Sequence, residues 1–340
     1  MKIVLHHPTV LPARGYGGVE RVVLWLARGL RAGGHDVWVV ASPESQLPNG
    51  IALIPVSVLQ SKPEDLRSLL PPGIDLVHFM APVTERVAAS FPCPVLQTVH
   101  GNGKPREIFL RNSVFLSRNH AQRHGADAFV WNGVDPDELL FSSSVPSTAN
   151  FLFLSKTSWR VKNLSGAMRI ARRAKVPLSI AGGRGPGMLR FRAALTRGMH
   201  WVGPVGGRSK AEFLASGRAL LFPVRWAEPF GLVVVESLMS GTPVIASRMG
   251  SLPELISADV GMLLDPDREQ DWIDSVRGFS ASSISRIRCR DWAVEKFHYQ
   301  VMSKSYEGLY QQVLRGEFLH DRAPVGPLAF TESQGYRGET

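Results

Sequence analysis

The apolar residues of the first half fall in short continuous runs separated by stretches of helical periodicity. Lys2–His7 reads as a buried strand. Val19, Val22, Val23, Leu26, Ala27 and Leu30 then recur at helical spacing and give one apolar face, which Gly33-Gly34 ends. Asp36–Ala41 is the next strand, and Ile51–Val56, Asp75–Met80, Val95–Val99, Val114–Ser117 and Ala128–Trp131 have the same character. Runs that are continuous rather than alternating belong to strands buried on both faces, so the pattern predicts a parallel sheet covered by helices.

The small, polar, Pro-containing stretch 142–149 reads as a linker. After it the alternation restarts: strand Phe151–Leu154, helix Asn163–Lys175, strand Leu178–Ala181, a Gly/Arg loop, strand Met199–Val202, helix Lys210–Ser216, strand Ala219–Val224, helix Leu232–Met239 and strand Pro243–Ser247. A last helix is predicted from Asp291 to Leu314, with Trp292, Phe297, Val301, Tyr306, Leu309 and Tyr310 as its apolar positions. The tail after Gly316 has no periodicity and is expected to be mobile. The two similar halves predict two Rossmann-like units, whose ligands bind outside the carboxyl ends of the strands.

The segment 225–236, Arg-Trp-Ala-Glu-Pro-Phe-Gly-Leu-Val-Val-Val-Glu, carries the most specific chemistry. Glu228 lies in a turn between strand and helix, and Glu236 lies further along the helix. The first N–H groups of a helix lack intrahelical partners and its dipole favours an anion there, so this unit can receive a phosphate while its carboxylates accept hydroxyl donors. A nucleotide sugar offers diphosphate, ribose diol and sugar hydroxyls together. Upstream, Lys156, Arg160 and Lys162 sit in another strand-to-helix loop, where they could neutralise a diphosphate or remain a solvated basic loop. Gly15-Tyr16-Gly17-Gly18 precedes the first helix; it reads equally as a phosphate-approach loop or an ordinary flexible loop, and it is not a dinucleotide fingerprint. His100 ends a strand before two glycines and is placed to face a crevice; His6 and His7 are explained as strand-end residues. Asp135-Pro-Asp137 and Asp265-Pro-Asp267 have D-x-D spacing but read as Pro-containing turns capped by Asp. No cluster of ligands supports zinc.

Composition narrows the class. The chain has 340 residues, 44% hydrophobic and 20% charged, as befits a globular protein with two cores. No apolar run approaches the roughly 18–20 residues that span a bilayer, and the start has no signal-peptide pattern. Cys93 and Cys289 form no framework. The expectation is a cytoplasmic protein. Net charge is +10, although residues 316–340 contribute −2. The arginines gather in the second half, Arg169, Arg172, Arg173, Arg184, Arg190, Arg192, Arg197, Arg286, Arg288 and Arg290 among them. Such a surface suits anionic lipid on the inner face of a membrane, an anionic or lipid-linked acceptor, or plain solvation; no motif supports specific nucleic-acid binding.

On these residues the chain resembles the retaining glycosyltransferases of family 4, which have the GT-B fold. The resemblance covers roughly residues 1–315 and is strongest over Ala219–Leu255, through Ala-Leu-Leu-Phe-Pro, Glu-Pro-Phe-Gly-Leu-Val-Val-Val-Glu, Gly-Thr-Pro-Val-Ile-Ala and Gly-Ser-Leu-Pro-Glu-Leu. Gly17-Gly18-Val19-Glu20, Asn132-Gly133-Val134-Asp135 and Lys162-Asn163 support it. It implies an α/β protein of two Rossmann-like βαβ domains facing each other across a cleft: 1–145 on the acceptor side, 146–290 on the donor side, a helix at 291–315 crossing back onto the first domain, and a tail at 316–340. It implies that Glu228 holds the donor sugar's hydroxyls beside the backbone N–H groups of Phe230, Gly231 and Leu232, that Glu236 takes the ribose, and that Lys156 and Lys162 clamp the diphosphate. Gly17 and Gly18 would line the phosphates and His100 would reach the sugar. The family usually has Gly-Arg where this chain has Ser155-Lys156, so the cation is kept and the fork is not; Arg160 is the alternative fork.

The implied reaction moves a hexose from a nucleoside-diphosphate sugar, UDP-linked as the commonest case, to an acceptor hydroxyl with retention and without a metal or other cofactor. The rival readings are a non-catalytic GT-B nucleotide-sugar-binding module and a nicotinamide oxidoreductase; the missing dinucleotide fingerprint argues against the latter.

Overall fold

The computed structural model describes residues 1–13, 15, 17–57, 63–183, 187–280 and 282–327. They form two compact units, one of Met1–Val134 with the segment from Phe297 onward, the other of Asp135–Lys296. Each holds a six-stranded, all-parallel sheet.

In the first unit the elements are β1 (Lys2–His6), α1 (Gly18–Ala32), β2 (Asp36–Ala41), β3 (Ile51–Pro55), β4 (Leu76–Phe79), α2 (Glu85–Ala89), β5 (Val95–Thr98), β6 (Ser113–Val114) and α3 (Arg118–Gln122). Strand order is β3-β2-β1-β4-β5-β6, so the winding reverses between β1 and β4. The predicted strand at 128–131 is reduced to a single bridge from Phe129 to Phe115. α1 buries Val22, Val23, Leu26, Ala27 and Leu30, the face its spacing predicts.

The second unit runs β7 (Phe151–Leu154), α4 (Leu164–Ala174), β8 (Leu178–Ala181), α5 (Gly187–Ala194), β9 (Met199–Gly203), α6 (Gly207–Ala215), β10 (Leu220–Phe222), α7 (Leu232–Met239), β11 (Val244–Ser247), α8 (Leu252–Leu255), β12 (Gly261–Leu264), α9 (Glu269–Gly278) and α10 (Arg286–Phe297). The order is β12-β11-β10-β7-β8-β9, which puts the reversal between β7 and β10. β12, α8 and α9 have no counterpart in the pattern reading, and α5 stands where the pattern suggested a Gly/Arg loop. α9 nevertheless buries Trp272, Ile273 and Val276 in one core with α4 and the strands.

The predicted final helix is two helices. α10 stops at Phe297, His298 is extended, and α11 spans Tyr299–Leu314. The break has a local cause. Val134 donates to the Phe297 carbonyl at 2.8 Å and accepts from Tyr299 N at 3.1 Å, pulling His298 into a bridge, while His298 Nδ1 caps the new helix at Gln300 N. Apolar periodicity continues through this point, so the spacing could not show it. α10 belongs to the second unit and α11 to the first. Where the sequence suggested a boundary in 142–149, the first crossing falls at 134/135; Ser142 is tied into the second unit by Arg286 Nε at 2.7 Å and Ser240 O at 3.4 Å.

α11 returns to α1 and the first sheet. A Cβ on Gly29 would lie 2.5 Å from Ser303 Oγ, so the helices meet at a glycine-width approach. Beneath them, Tyr310 OH bonds His78 Nδ1 at 2.8 Å, His78 Nε2 bonds Thr98 Oγ1 at 2.7 Å, and Thr98 Oγ1 bonds Tyr306 OH at 2.8 Å. This chain satisfies the buried polar atoms of β4, β5 and α11 together. The tail expected to be mobile is ordered through residue 327. His320 N donates to Arg111 O, Phe318 lies under the Arg111 guanidinium, and Val325 bridges to Ile108. Residues 328–340 lie outside the described residues. Among the described residues no helix is long and apolar enough to cross a membrane.

Candidate active site

The loops after β7 and β10 flank the reversal point of the second sheet, where the two halves of the winding diverge, the place at which open sheets of this kind generally bind ligands. They bring Lys162 and Glu228 together at 2.6 Å (Nζ to Oε2), both largely buried. Trp226 Nε1 donates to the same oxygen at 2.7 Å. Glu228 Oε1 carries no hydrogen bond among the described residues. The Lys162 ammonium also sits 4.8 Å from the Trp226 ring, 5.5 Å from Phe222 and 6.0 Å from Trp159. An aromatic cage of this kind favours a fixed cation where water is scarce.

Backbone ties hold the pair. Lys162 ends a single 3₁₀ turn, Arg160–Lys162, and Asn163 follows with φ 57°, ψ 45°. Asn163 Oδ1 caps α4 at Gly166 N (3.1 Å), while its Nδ2 donates to Pro223 O (2.8 Å) and Arg225 N donates to Val161 O (2.8 Å). One loop is thereby fastened to the other. A third loop, after β11, closes on Glu228. Ser251 N donates to Glu228 O at 2.9 Å and Ser251 Oγ to Phe230 O at 2.6 Å. Gly250 has φ +58°, and a Cβ there would stand 2.3 Å from Glu228 N. That accounts for the Gly-Ser that opens Gly-Ser-Leu-Pro-Glu-Leu. Gly231, with φ +92°, turns the chain into α7. The N–H groups of its first turn, Leu232 included, are the ones a helix leaves without internal partners.

Lys156 is exposed, with its ammonium 4.8 Å from the Trp159 ring, and Arg160 is exposed beside it. Thr157 Oγ1 and N both reach Gly182 O, holding this loop to the end of β8. Ser155, where the family pattern has glycine, keeps a buried hydroxyl with no hydrogen-bond partner among the described residues.

Glu236 lies one turn into α7, buried, with Lys210 Nζ of α6 at 2.5 Å from its Oε1. The sequence reading missed Lys210. Lys210 falls on the inward face of α6 with Ala211, Phe213 and Leu214, and a lysine among such neighbours was the legible signal. Arg286 corrects the basic-surface expectation. It is buried and donates to the carbonyls of Ser142, Gly217 and Ala215 and to Thr242 Oγ1. The D-x-D turns behave as capped turns, with Asp135 accepting from Asp137 N and Asp265 from Asp267 N.

In the first unit Gly17 is the N-cap of α1 and Gly18 its first residue; Tyr16 lies outside the described residues. A Cβ on Gly17 would stand 2.4 Å from that of Ala13. His100 follows β5. Its Nε2 is buried without a hydrogen-bond partner, as is His7 Nε2. Burial, and then the neighbouring His7, push the His100 pKa down to about 3, so at neutral pH it offers an uncharged ring. The loop is pinned by residues that sequence reasoning passed over. His120 Nε2 donates to Gly101 O at 2.9 Å while its Nδ1 accepts from Leu116 N, and His124 Nε2 reaches Asn102 O at 3.0 Å. Their spacing of four, one in α3 and one in the turn that ends it, was the readable clue.

These histidines set a pH dependence. Burial lowers His6 to about 4 and His78 to about 3, as it does His100. Each stays neutral while the unfolded chain takes up a proton below about pH 6.5. Stability is therefore full above that pH and is lost as pH falls toward the folded values, by up to about 1.4 kcal/mol per pH unit for each group. Thermal melts between about pH 7 and pH 5 should show a falling midpoint; a flat profile would contradict these burial-driven shifts.

Comparison with known proteins follows the same division. Residues 16–138 match the family model described as Glycosyltransferase Family 4, and residues 148–281 the one described as Glycosyl transferases group 1. A D-inositol 3-phosphate glycosyltransferase of Corynebacterium glutamicum (strain R) is 34% identical over 116 residues, 32% of this chain and 28% of that protein. The chain thus matches less than a third of that relative's length. A phosphatidyl-myo-inositol mannosyltransferase of Mycobacterium leprae (strain TN) is 26% identical over 87% of this chain and 93% of its own. Among solved structures, AviGT4, a glycosyltransferase involved in avilamycin A biosynthesis, aligns with TM-score 0.76 at 23% identity over 93% of this chain and 98% of its own. Anabaena Alr3699/HepE in complex with UDP-glucose aligns with TM-score 0.63 at 16% identity over 92% and 100%. At these identities the structural likenesses speak for the fold alone.

Proposed function

Because the chain belongs to glycosyltransferase family 4 and has the GT-B fold, we propose that it is a retaining hexosyltransferase using a nucleoside-diphosphate sugar, UDP-linked, and an acceptor hydroxyl on an anionic or lipid-linked molecule. The observation that carries this reading is the Lys162–Glu228 pair at the reversal point of the second sheet, beside the N-terminus of α7.

In the proposed reaction the bond between the sugar's anomeric carbon and the β-phosphate oxygen breaks, and the nucleoside diphosphate leaves with the electron pair. The acceptor oxygen bonds to the same face of the oxocarbenium-like sugar, and its proton passes to the departing phosphate oxygen. No metal is assigned a role. New negative charge on the phosphate is met by Lys162, by Lys156 or Arg160, and by the first N–H groups of α7. Fixed positive charge, aimed where negative charge develops, usually lowers the barrier more than any other single effect in such catalysis. Lys162 has three N–H donors and spends one on Glu228, so two remain for phosphate. Glu228 Oε1 accepts from a sugar hydroxyl. Glu236 is assigned the ribose. Gly17, Gly18 and the uncharged His100 keep the donor-binding roles that the family resemblance implies.

A thermal-shift series with UDP, GDP and ADP tests the donor assignment. UDP is expected to raise the melting midpoint most, and NMR of the product anomer is expected to show retention. Indifference to all three nucleotides, or an inverted product, would refute the reading.

A further inference from the structure

Residues 139–211 contain no aspartate or glutamate and carry 13 lysines and arginines, so the remainder of the chain nets −3. The run includes α4 and α5. Both are connections between parallel neighbours stepping the same way, β7 to β8 to β9, and right-handed crossovers place them on one face of the sheet. Ala167 and Ala171 of α4 and Ala193 of α5 accordingly share one core.

Turned away from that core, α5 and Leu195, the residue after it, present an apolar stripe. Met188 is 69% exposed, Phe191 62% and Leu195 72%. Spaced i, i+3, i+7, they lie on one side of the helical turn, opposite Leu189 and Ala193, which face inward. A helix with apolar residues on both sides gains nothing from water on the outer one. In the same acid-free run the side chains of Arg172, Lys175, Arg190 and Arg197 are exposed, and among the described residues none has an ion-pair partner. Arg169 and Arg173, by contrast, are spent on Glu269.

From the coincidence of the stripe with the acid-free run, we propose that the outer face of α4 and α5 is a docking surface for an anionic lipid bilayer. Met188, Phe191 and Leu195 would enter the headgroup–acyl boundary, and the unpaired cations would meet lipid phosphates. Nucleic acid would reward the charge and leave three large apolar side chains wet, so the pairing of both features favours lipid.

The test uses the full chain with vesicles of phosphatidylcholine alone or mixed with phosphatidylglycerol. The native protein should cosediment with the mixed vesicles at least roughly tenfold more strongly than with the neutral ones. Met188→Ser/Phe191→Ser/Leu195→Ser and, separately, Arg172→Gln/Lys175→Gln/Arg190→Gln/Arg197→Gln should each weaken that binding by roughly tenfold or more. All these residues are exposed and lie outside the proposed site, and circular dichroism melts identical to the parent confirm folding. The proposal is overturned if the serine variant sediments like the parent, or if neutral vesicles bind equally. It is also overturned if duplex DNA is retained by the serine variant while no vesicle is bound, which would assign the charge to nucleic acid.

Discussion

Replacing Lys162 with alanine is expected to lower turnover by roughly two to three orders of magnitude, the usual effect of deleting one fixed donor from a developing anion. The structure sharpens this expectation. Lys162 is held by Glu228, by three aromatic rings and by the Asn163 and Arg225 ties, so its ammonium is in place before substrate arrives. Such preorganisation makes the charge effective in the transition state, and an exposed neighbour such as Lys156 cannot replace it. Alanine also leaves Glu228 with one donor fewer in a buried setting, which costs stability. The measurement must therefore separate the two. Single-turnover rates with saturating donor, taken well below the variant's melting midpoint, report chemistry alone. Lys162→Arg keeps the charge but not the point geometry and should fall between the parent and alanine. Near-parental single-turnover rates in Lys162→Ala would remove Lys162 from the reaction.

How much of this site was legible in sequence depends on the range of the interaction that builds each part. α7 and strands β7 and β8 were placed to the residue because a short apolar run bounded by turn formers is a local signal. Glu228 and Lys162 were legible as chemistry, yet their contact spans 66 positions and only the strand order brings it about. The His298 break was invisible because its cause, hydrogen bonding to Val134, lies more than 160 positions away. Arg286 was misread for the same reason: arginines look alike in composition, and only the fold shows which one is surrounded by carbonyls. Lys210 combines both cases, since its burial was hinted at by helical spacing while its partner was not.

That partner governs the second large effect. Glu236→Ala is expected to destabilise the protein by about 3–5 kcal/mol, because it removes the carboxylate that faces the buried Lys210 ammonium at 2.5 Å; for a unit of this size that is a midpoint drop of about 10 °C. A loss of nucleotide affinity in this variant alone would therefore say little about the ribose. The double variant Lys210→Met/Glu236→Leu removes both charges and fills the same space, so much of the lost stability should return, as replacement of a buried pair by apolar residues often allows. What should not return is preference for the ribose diol. A carboxylate that accepts from the 2′- and 3′-hydroxyls contributes roughly 1.5–3 kcal/mol, about tenfold or more in affinity. Calorimetry should then show the parent binding UDP about tenfold more tightly than 2′,3′-dideoxy-UDP, and the double variant binding the two alike. If the double variant kept the preference, ribose would be read elsewhere and the Lys210–Glu236 pair would serve only to join α6 to α7. If Glu236→Ala melted with the parent, the pair would not be buried in the way its geometry requires.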